Sequence, residues 1–515
     1  MNYSDLFRAT LPETALEIAA LLVIVIDLGF LRRAATKTRV AVAALLGVAG
    51  CIAALWAVHL ASSISLTNGS YVVLAAGGSA AVAQIAVLVL TALTLLLFID
   101  TGFTRNPGEY VSVVLMAAAG GLIISAAQDL LVIFVGLELL SLGLYILTAF
   151  AKTSGKSAEG ALKYYLFGGM SAAFLLFGFS YLYGLSGSTN LPRVILGTYL
   201  ASARGATPLL VLALVMIAVG LGFKVAAVPF HFWAPDTYEG APAPAAAFIA
   251  SVSKVASFAL LISISHAILW WPAMLDLTRG RLAEKVISAA TPASHVSHGF
   301  VSGWPLILVA LSAASMIFGN LAALAQSSVR RLLAYSAIAH AGYILLGLAF
   351  FGGTNQSAQA ILYYILTYGL TTIGAFGVVS VVERAAGSDK LDAFLGLQKR
   401  SPLLAAILLV LFLSLAGIPP LVGFWAKFNL FAGVLAVGAG KLSYALVALA
   451  IAMSAVSLYY YLQVLKRAYV MPATDDTPIH AHPVTMGVLL AIIVAVVVMG
   501  CFPALLQNWI ASFYA

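Results

Sequence analysis

Fourteen stretches of this 515-residue chain are each long and apolar enough to cross a bilayer. That repetition limits the possible folds more than any other feature. The stretches run approximately over 12–31, 39–61, 77–99, 110–127, 129–150, 157–183, 207–230, 242–270, 303–326, 331–352, 356–383, 402–437, 442–465 and 483–512. Inside hydrocarbon no backbone amide meets water, so a spanning segment must bond itself as a helix or close into a barrel. Barrel strands alternate apolar and polar residues, and these stretches do not. With 63% hydrophobic and 9% charged residues, the chain is far from the roughly one-quarter charge of a soluble domain. A soluble enzyme, a disordered chain and a secreted disulfide scaffold are excluded. The expected fold is an all-α polytopic membrane protein with about 14 transmembrane helices. The first stretch is followed by an Arg/Lys cluster without a cleavage signature, which reads as a retained helix rather than a signal peptide.

Redox and nucleotide chemistry have no visible foothold in the sequence. Cys51 and Cys501 lie far apart in apolar stretches, and no C-x-x-C is present for a cluster or structural zinc. Neither G-x-x-x-x-G-K-[ST] nor a strand-borne G-x-G-x-x-G occurs. The net charge of +8 would suit nucleic acid, but its source is Lys and Arg in the loops that flank the spans. No nucleic-acid partner is expected, and the bilayer is.

Alternating the loops, with the N-terminus outside, puts 15 Lys and Arg on one side and seven on the other. The positive-inside rule therefore favours both termini on the outer, periplasmic side of a bacterial inner membrane; thylakoid and mitochondrial membranes fit less well. Four cations belong to neither set. Lys163, Lys224, Lys254 and Lys427 fall within apolar stretches. A charge at mid-membrane costs roughly 2.5–3.5 kcal/mol on insertion scales, so each demands a reason.

A weak internal repeat organises the chain. Ser157-Ala158-x-x-x-Leu162-x-Tyr164 recurs as Ser357-Ala358-x-x-x-Leu362-x-Tyr364, and Tyr145-Ile146-Leu147 recurs as Tyr343-Ile344-Leu345. Spans 4–8 (106–270) and 9–13 (303–470) would then be two copies. Five crossings per copy turn the second one over, the inverted-repeat plan of secondary transporters. Residues 1–105 hold the first three spans, 271–302 form a polar loop and 471–515 hold the last span.

Glu138 lies mid-span, with Ser141 and Tyr145 on the same helical face. This is a polar stripe suited either to function or to a packing ion pair. Lys254 is central in the eighth span, flanked by Ser251 and Ser257, too deep to snorkel to either surface. Burial disfavours its ammonium and a nearby carboxylate favours it, so a lysine in balance binds and releases a proton. Lys224 precedes Pro229, and Lys427 follows Pro419-Pro420. Proline removes a backbone bond and clashes with the preceding turn, so the seventh and twelfth spans should break there. Broken helices occur at membrane depth only inside protein or beside a hydrated cavity. Lys163 is weaker: it lies near a span end, four residues after Glu159, an ordinary helical pair. His340 could relay a proton or be a satisfied core histidine. His59 and His266 lie near span ends, and His231 fits a loop-positioning job. His295 and His298 lack a third metal ligand. Asp27 reads as a solvated cap near Arg32 and Arg33.

The segments GLELLSLGLYIL, SAEGALKYYLFGGMSAAFLLFG, GFKVAAVPFHFWAPDTYEGAP, YSAIAHAGY and GIPPLVGFWAKF resemble the antiporter-like membrane subunits of complex I, the NADH:quinone oxidoreductase. The similarity runs from about residue 100 to 470. It is nearest the N type, since the M type carries glutamate where Lys427 stands and the L type adds a lateral helix. The resemblance implies fourteen helices, two inverted five-helix units, and breaks in helices 7 and 12. It implies that Glu138 modulates Lys224, and that Lys163, Lys254, His340 and Lys427 continue a proton relay. No catalytic redox site or cofactor is then expected in this chain. Quinone, FMN and iron–sulfur clusters would belong to partner subunits, among them another antiporter-like subunit and small membrane subunits. The repeat partner of Lys163 is Tyr363, so the two halves are unequal in titratable groups. The rival readings are a cation/proton antiporter subunit with no redox partner, and a scaffold whose lysines pair only for assembly.

Overall fold

The computed structural model describes residues 7–61, 66–68, 71–278, 299–352, 355–437, 440–473 and 477–514. Three helices open the chain: α1 (Leu11–Val25), α2 (Thr36–Ala61) and α3 (Gly78–Phe98). A short hairpin, β1 (Leu66–Asn68) and β2 (Tyr71–Leu74), joins the last two. The first half of the body follows as α4 (Pro107–Ala126), α5 (Leu130–Thr148), α6 (Gly155–Ser186), α7 (Leu191–Ala201), α8 (Thr207–Val225), α9 (Trp233–Gly240) and α10 (Ala243–Thr278). The second is α11 (Gly299–Leu324), α12 (Val329–Ala349), α13 (Asn355–Ala386), α14 (Leu397–Arg400), α15 (Pro402–Ala416), α16 (Val422–Val437) and α17 (Lys441–Tyr469). The chain closes with α18 (Pro483–Cys501) and α19 (Pro503–Ser512).

Among the described residues twelve helices are long and apolar enough to cross a membrane. The other two expected spans are pieced together. The first is the 15-residue α1 prolonged by a π-turn, Ile26–Phe30. The twelfth is α15 and α16 on either side of its break. The fourteenth span also departs from one straight helix, since it is interrupted at Phe502-Pro503. The expected polar loop begins later than 271, because α10 continues to Thr278. His295 and His298 lie outside the described residues.

The two halves share their construction. Helices α6 and α13 are both 32 residues long and begin 200 positions apart. An isolated two-strand bridge precedes α5, with Leu130 N–H on Thr189 O at 2.8 Å and Leu191 N–H on Gln128 O at 2.9 Å. The same bridge precedes α12, with Val329 N–H on Asp389 O and Leu391 N–H on Ser327 O, both 2.9 Å. Glycines set the close crossing of each helix pair. A Cβ at Gly120 would lie 2.5 Å from Leu140 N, and one at Gly319 would lie 2.6 Å from Ala339 N. Gly143 and Gly342 meet Ala117 and Met316 in the same way. These crossings set the register of α12 against α5 one residue away from the sequence alignment. Tyr145 matches Ile344 rather than Tyr343, and Ser141 matches His340.

Helices α10 and α12 form the centre, each with 94% of its apolar window buried, while α17 and α18 keep 28% and 33%. Large apolar side chains line the open faces, among them Leu166, Phe177, Tyr444 and Ile451. That distribution suits a body surrounded by lipid or other apolar protein. The loops gather at two ends as the alternation requires. Arg39 reaches Arg105 O, and Arg384 pairs with Asp100. At the other end Gly78 N–H bonds Phe513 O. Asp27 corrects the expectation of a solvated cap. It is 2% exposed and forms a forked ion pair with Arg39 at 2.7 and 2.8 Å.

A buried line of lysines between two broken helices

Both expected breaks are present. Helix α8 stops at Val225 and α15 at Ala416, each followed by a left-handed residue: Ala226 at φ 59° and Gly417 at φ 89°. Each closes the same C-terminal motif, with Ala227 N–H on Gly222 O and Ile418 N–H on Leu413 O. Pro229 and Pro420 follow, each after a cis peptide bond, the second of them joining Pro419 to Pro420. Past each turn the chain resumes as α9 and α16.

Lys224 lies in the last turn of α8 and is 6% exposed. Its Nζ donates to Ser141 Oγ at 2.5 Å and stands 3.8 Å from Glu138 Oε1. Tyr145 shares that face, and its hydroxyl accepts and donates no hydrogen bond among the described residues; Glu138 Oε1 has the ion pair but no hydrogen bond. Of the stripe Glu138–Ser141–Tyr145 read from the sequence, the first two meet the broken helix, while Tyr145 packs on Tyr164 and Tyr165 of α6 at 4.8 and 5.8 Å.

Lys254, 3% exposed at the centre of α10, donates to Ala337 O of α12. In the matched register Ala337 stands where Glu138 stands in the first half, so a backbone carbonyl replaces a carboxylate. The Lys254 ammonium lies 5.8 Å from the Tyr368 ring centroid. The same ring is 4.8 Å from His340, whose Nδ1 shares a 2.8 Å hydrogen bond with Tyr364 Oη. His340 is 5.8 Å from Tyr343, and Tyr343 is 5.3 Å from the Lys427 ammonium. Tyr368 and Tyr343 thus each stand at cation–π separation from one lysine and in ring contact with His340 between them.

Lys427 sits after its break, not before it as Lys224 does. It caps α15, donating to Leu415 O at 3.1 Å, Ala416 O at 2.9 Å and Ser454 Oγ at 2.8 Å. Lys163 is elsewhere. Its side chain is 38% exposed and pairs with Glu159 and Asp236, both at 2.6 Å. Arg331 joins the same group, 2.5 Å from Asp236 and 3.1 Å from Glu239, and Lys156 holds Glu239 at 2.7 Å. Burial raises both carboxyls. Hydrogen bonds from Lys163 and Arg331 to Asp236, and from Lys156 and Arg331 to Glu239, outweigh it and hold both below the ordinary carboxylate range.

Five of the six expected relay residues thus follow one track, buried except at the partly exposed Glu138, and Lys163 stands apart in an ionic cluster. The sequence reading missed Tyr343, Tyr368 and Ser454. Tyrosines at helical spacing within apolar spans look like core, and only the tertiary approach of lysines marks them. Among the described residues no group of three His, Cys, Asp or Glu stands close enough to hold a metal ion.

A family model described as NADH:quinone oxidoreductase/Mrp antiporter, TM, matches residues 127–276 and 288–454. A protein of Acidobacterium capsulatum named NADH-quinone oxidoreductase subunit N 2 is 46% identical, over 99% of both chains. One of Moorella thermoacetica, named subunit N, is 35% identical over 95% of each. Among solved structures, a chain of respiratory complex I from Thermus thermophilus with bound aureothin superposes with a TM-score of 0.74 at 33% identity, covering 96% of this chain and 98% of that one. A chain of the Mrp complex from Dietzia superposes at 0.76 with 20% identity over 98% and 96%, a likeness of fold alone.

Proposed function

We infer, from the premise that this chain belongs to the NADH:quinone oxidoreductase/Mrp antiporter membrane family, that it is a proton-translocating membrane subunit of an NADH:quinone oxidoreductase. Its partners are the other membrane subunits of that complex. The antiporter without a redox partner is not favoured, because the relatives at 35% and 46% identity carry the name subunit N. Electron transfer, with FMN, iron–sulfur clusters and quinone, belongs to neighbouring subunits. The chain sits in a bacterial inner membrane with both termini on the periplasmic side. Residues 106–270 and 303–470 act as two inverted units, flanked by 1–105, 271–302 and 471–515.

The observation that carries the mechanism is the contact of the buried Lys224 with Ser141 and the partly exposed Glu138 beside a broken helix. Glu138 stabilises the Lys224 ammonium, which burial opposes. A signal that draws Glu138 away removes that support and sends the proton toward Lys254. Tyr368 and His340 continue the line, and Tyr343 leads to Lys427. Ser454 and the α15 carbonyls hold the Lys427 amine at the far end. These groups titrate as a set, so the relay has macroscopic proton affinities rather than one for each side chain.

The test is Lys224→Ala and Glu138→Ala in the assembled complex, read as protons moved per electron in sealed vesicles. Both variants should assemble and lose proton movement. Unchanged stoichiometry in both would overturn the relay. Mass spectrometry of the complex purified in mild detergent should find flavin- and cluster-bearing partners; recovery without them returns the antiporter reading.

A further inference from the structure

The relay leaves the ionic cluster around Asp236 unexplained. Arg330 and Arg331 occupy the first turn of α12, where the helix dipole disfavours cations, and Ser328 already caps that helix. Helix formation therefore does not account for them. Instead both reach across to the short helix α9. Arg331 takes Asp236 and Glu239, and Arg330 donates to Ala241 O at its C-terminal end. From the other side Lys163 and Lys156 of α6 take the same two carboxylates. The two backbones also meet directly: a Cβ at Gly160 would lie 2.7 Å from Asp236 O, and one at Gly240 would lie 2.3 Å from Lys156 O. Helix α9 is thus gripped between the two halves of the molecule.

What α9 holds in turn is the Lys224 turn. Three residues before Asp236, Trp233 donates its indole N–H to Phe223 O at 3.0 Å. Phe223 is the neighbour of Lys224. Trp233 also stacks on Tyr164, with centroids 4.1 Å apart and planes 3° from parallel. Tyr164 follows Lys163 in α6. We propose that Lys163, Asp236 and Arg331 form a positioning clamp that fixes α9 and, through Trp233, sets the place of Lys224 against Glu138 and Ser141. In this role Lys163 acts as a fixed charge and does not carry a proton along the line.

The inference rests on the relay reading, and the chemistry of arginine separates the two. Arginine keeps the charge and the ion pairs but does not release its proton. In the assembled complex, Lys163→Arg should retain near-normal proton movement per electron. Lys163→Gln and Asp236→Asn should each lower it by roughly fivefold, the upper end for a partly exposed pair. Their double variant should lose no more than either single one, since both remove the same contact. Trp233→Phe, which deletes only the indole donor, should reproduce the loss. Lys254→Arg is the control for the relay and should abolish proton movement. If Lys163→Arg is as defective as Lys163→Gln, lysine must give up its proton there and the clamp is overturned. Additive losses in the double variant would overturn it as well. Retained movement in Lys254→Arg would instead sink the relay, whatever the clamp variants do.

Discussion

At the scale of single residues, the aromatic rings beside the lysines are open to direct test. Tyr368 stands near both Lys254 and His340. If its ring face holds the cation, Tyr368→Phe keeps most of the proton movement. Tyr368→Leu should reduce it by roughly threefold or more, the scale of a partly desolvated cation–π contact. Equal losses in the two variants would assign the effect to the hydroxyl. Glu138, Lys224, Lys254 and Lys427 stood out in the sequence because a charge within hydrocarbon needs a partner or a task to offset its cost. Tyr368 and Tyr343 were not, since a tyrosine belongs equally well in a core. Lys163 already stood apart in the sequence by its place near a span end and its pair with Glu159, and the structure adds the rest of its cluster. Its partner Asp236 lies 73 residues away in sequence, and Arg331, which shares that carboxylate, lies 168 away.

At the scale of elements, proline marked both breaks in advance, and the structure adds how each end is closed. The two C-terminal motifs are alike, yet the lysines stand on opposite sides of them. Lys224 reaches out of its helix toward α5, while Lys427 folds back onto the carbonyls of α15. Spacing along the chain could not distinguish these, because the direction of a side chain after a break depends on turn geometry. The α1–α2 pair is a purely structural case. Asp27 also accepts the Gly108 N–H at 3.1 Å, and a Cβ at Gly108 would press within 2.6 Å of its carboxylate. Removing one partner leaves an uncompensated buried charge. Arg39→Gln should therefore lower thermal stability in detergent by about 2–3 kcal/mol, and Asp27→Asn in addition should restore part of it. Proton movement per assembled complex should not change. A double variant less stable than Arg39→Gln alone would show that the pair is not the source.

At the scale of the whole molecule, the division into a shielded centre and open flanks has a direct reporter in the two native thiols. Cys51 is fully buried and Cys501 is exposed. In detergent a maleimide should label Cys501 alone, and both thiols after denaturation. Labelling of Cys51 in the folded chain would contradict the packing of α1, α2 and α4. Protection of Cys501 in the intact complex would mark the face a neighbouring subunit covers. The fold class and the repeat were readable from hydropathy and a few recurring residues. The true register was not, because identities among apolar residues are cheap, whereas the glycine crossings of α4 with α5 and α11 with α12 admit one alignment. That alignment puts Ala337 opposite the place of Glu138, which leaves one carboxylate beside three buried amines. Were Lys224, Lys254 and Lys427 all protonated, the interior would hold two charges in excess, which a low-dielectric core opposes. If this line is the proton relay proposed above, it works part-empty: what travels along it is a vacancy, and each vacancy displaced one way leaves a proton carried the other.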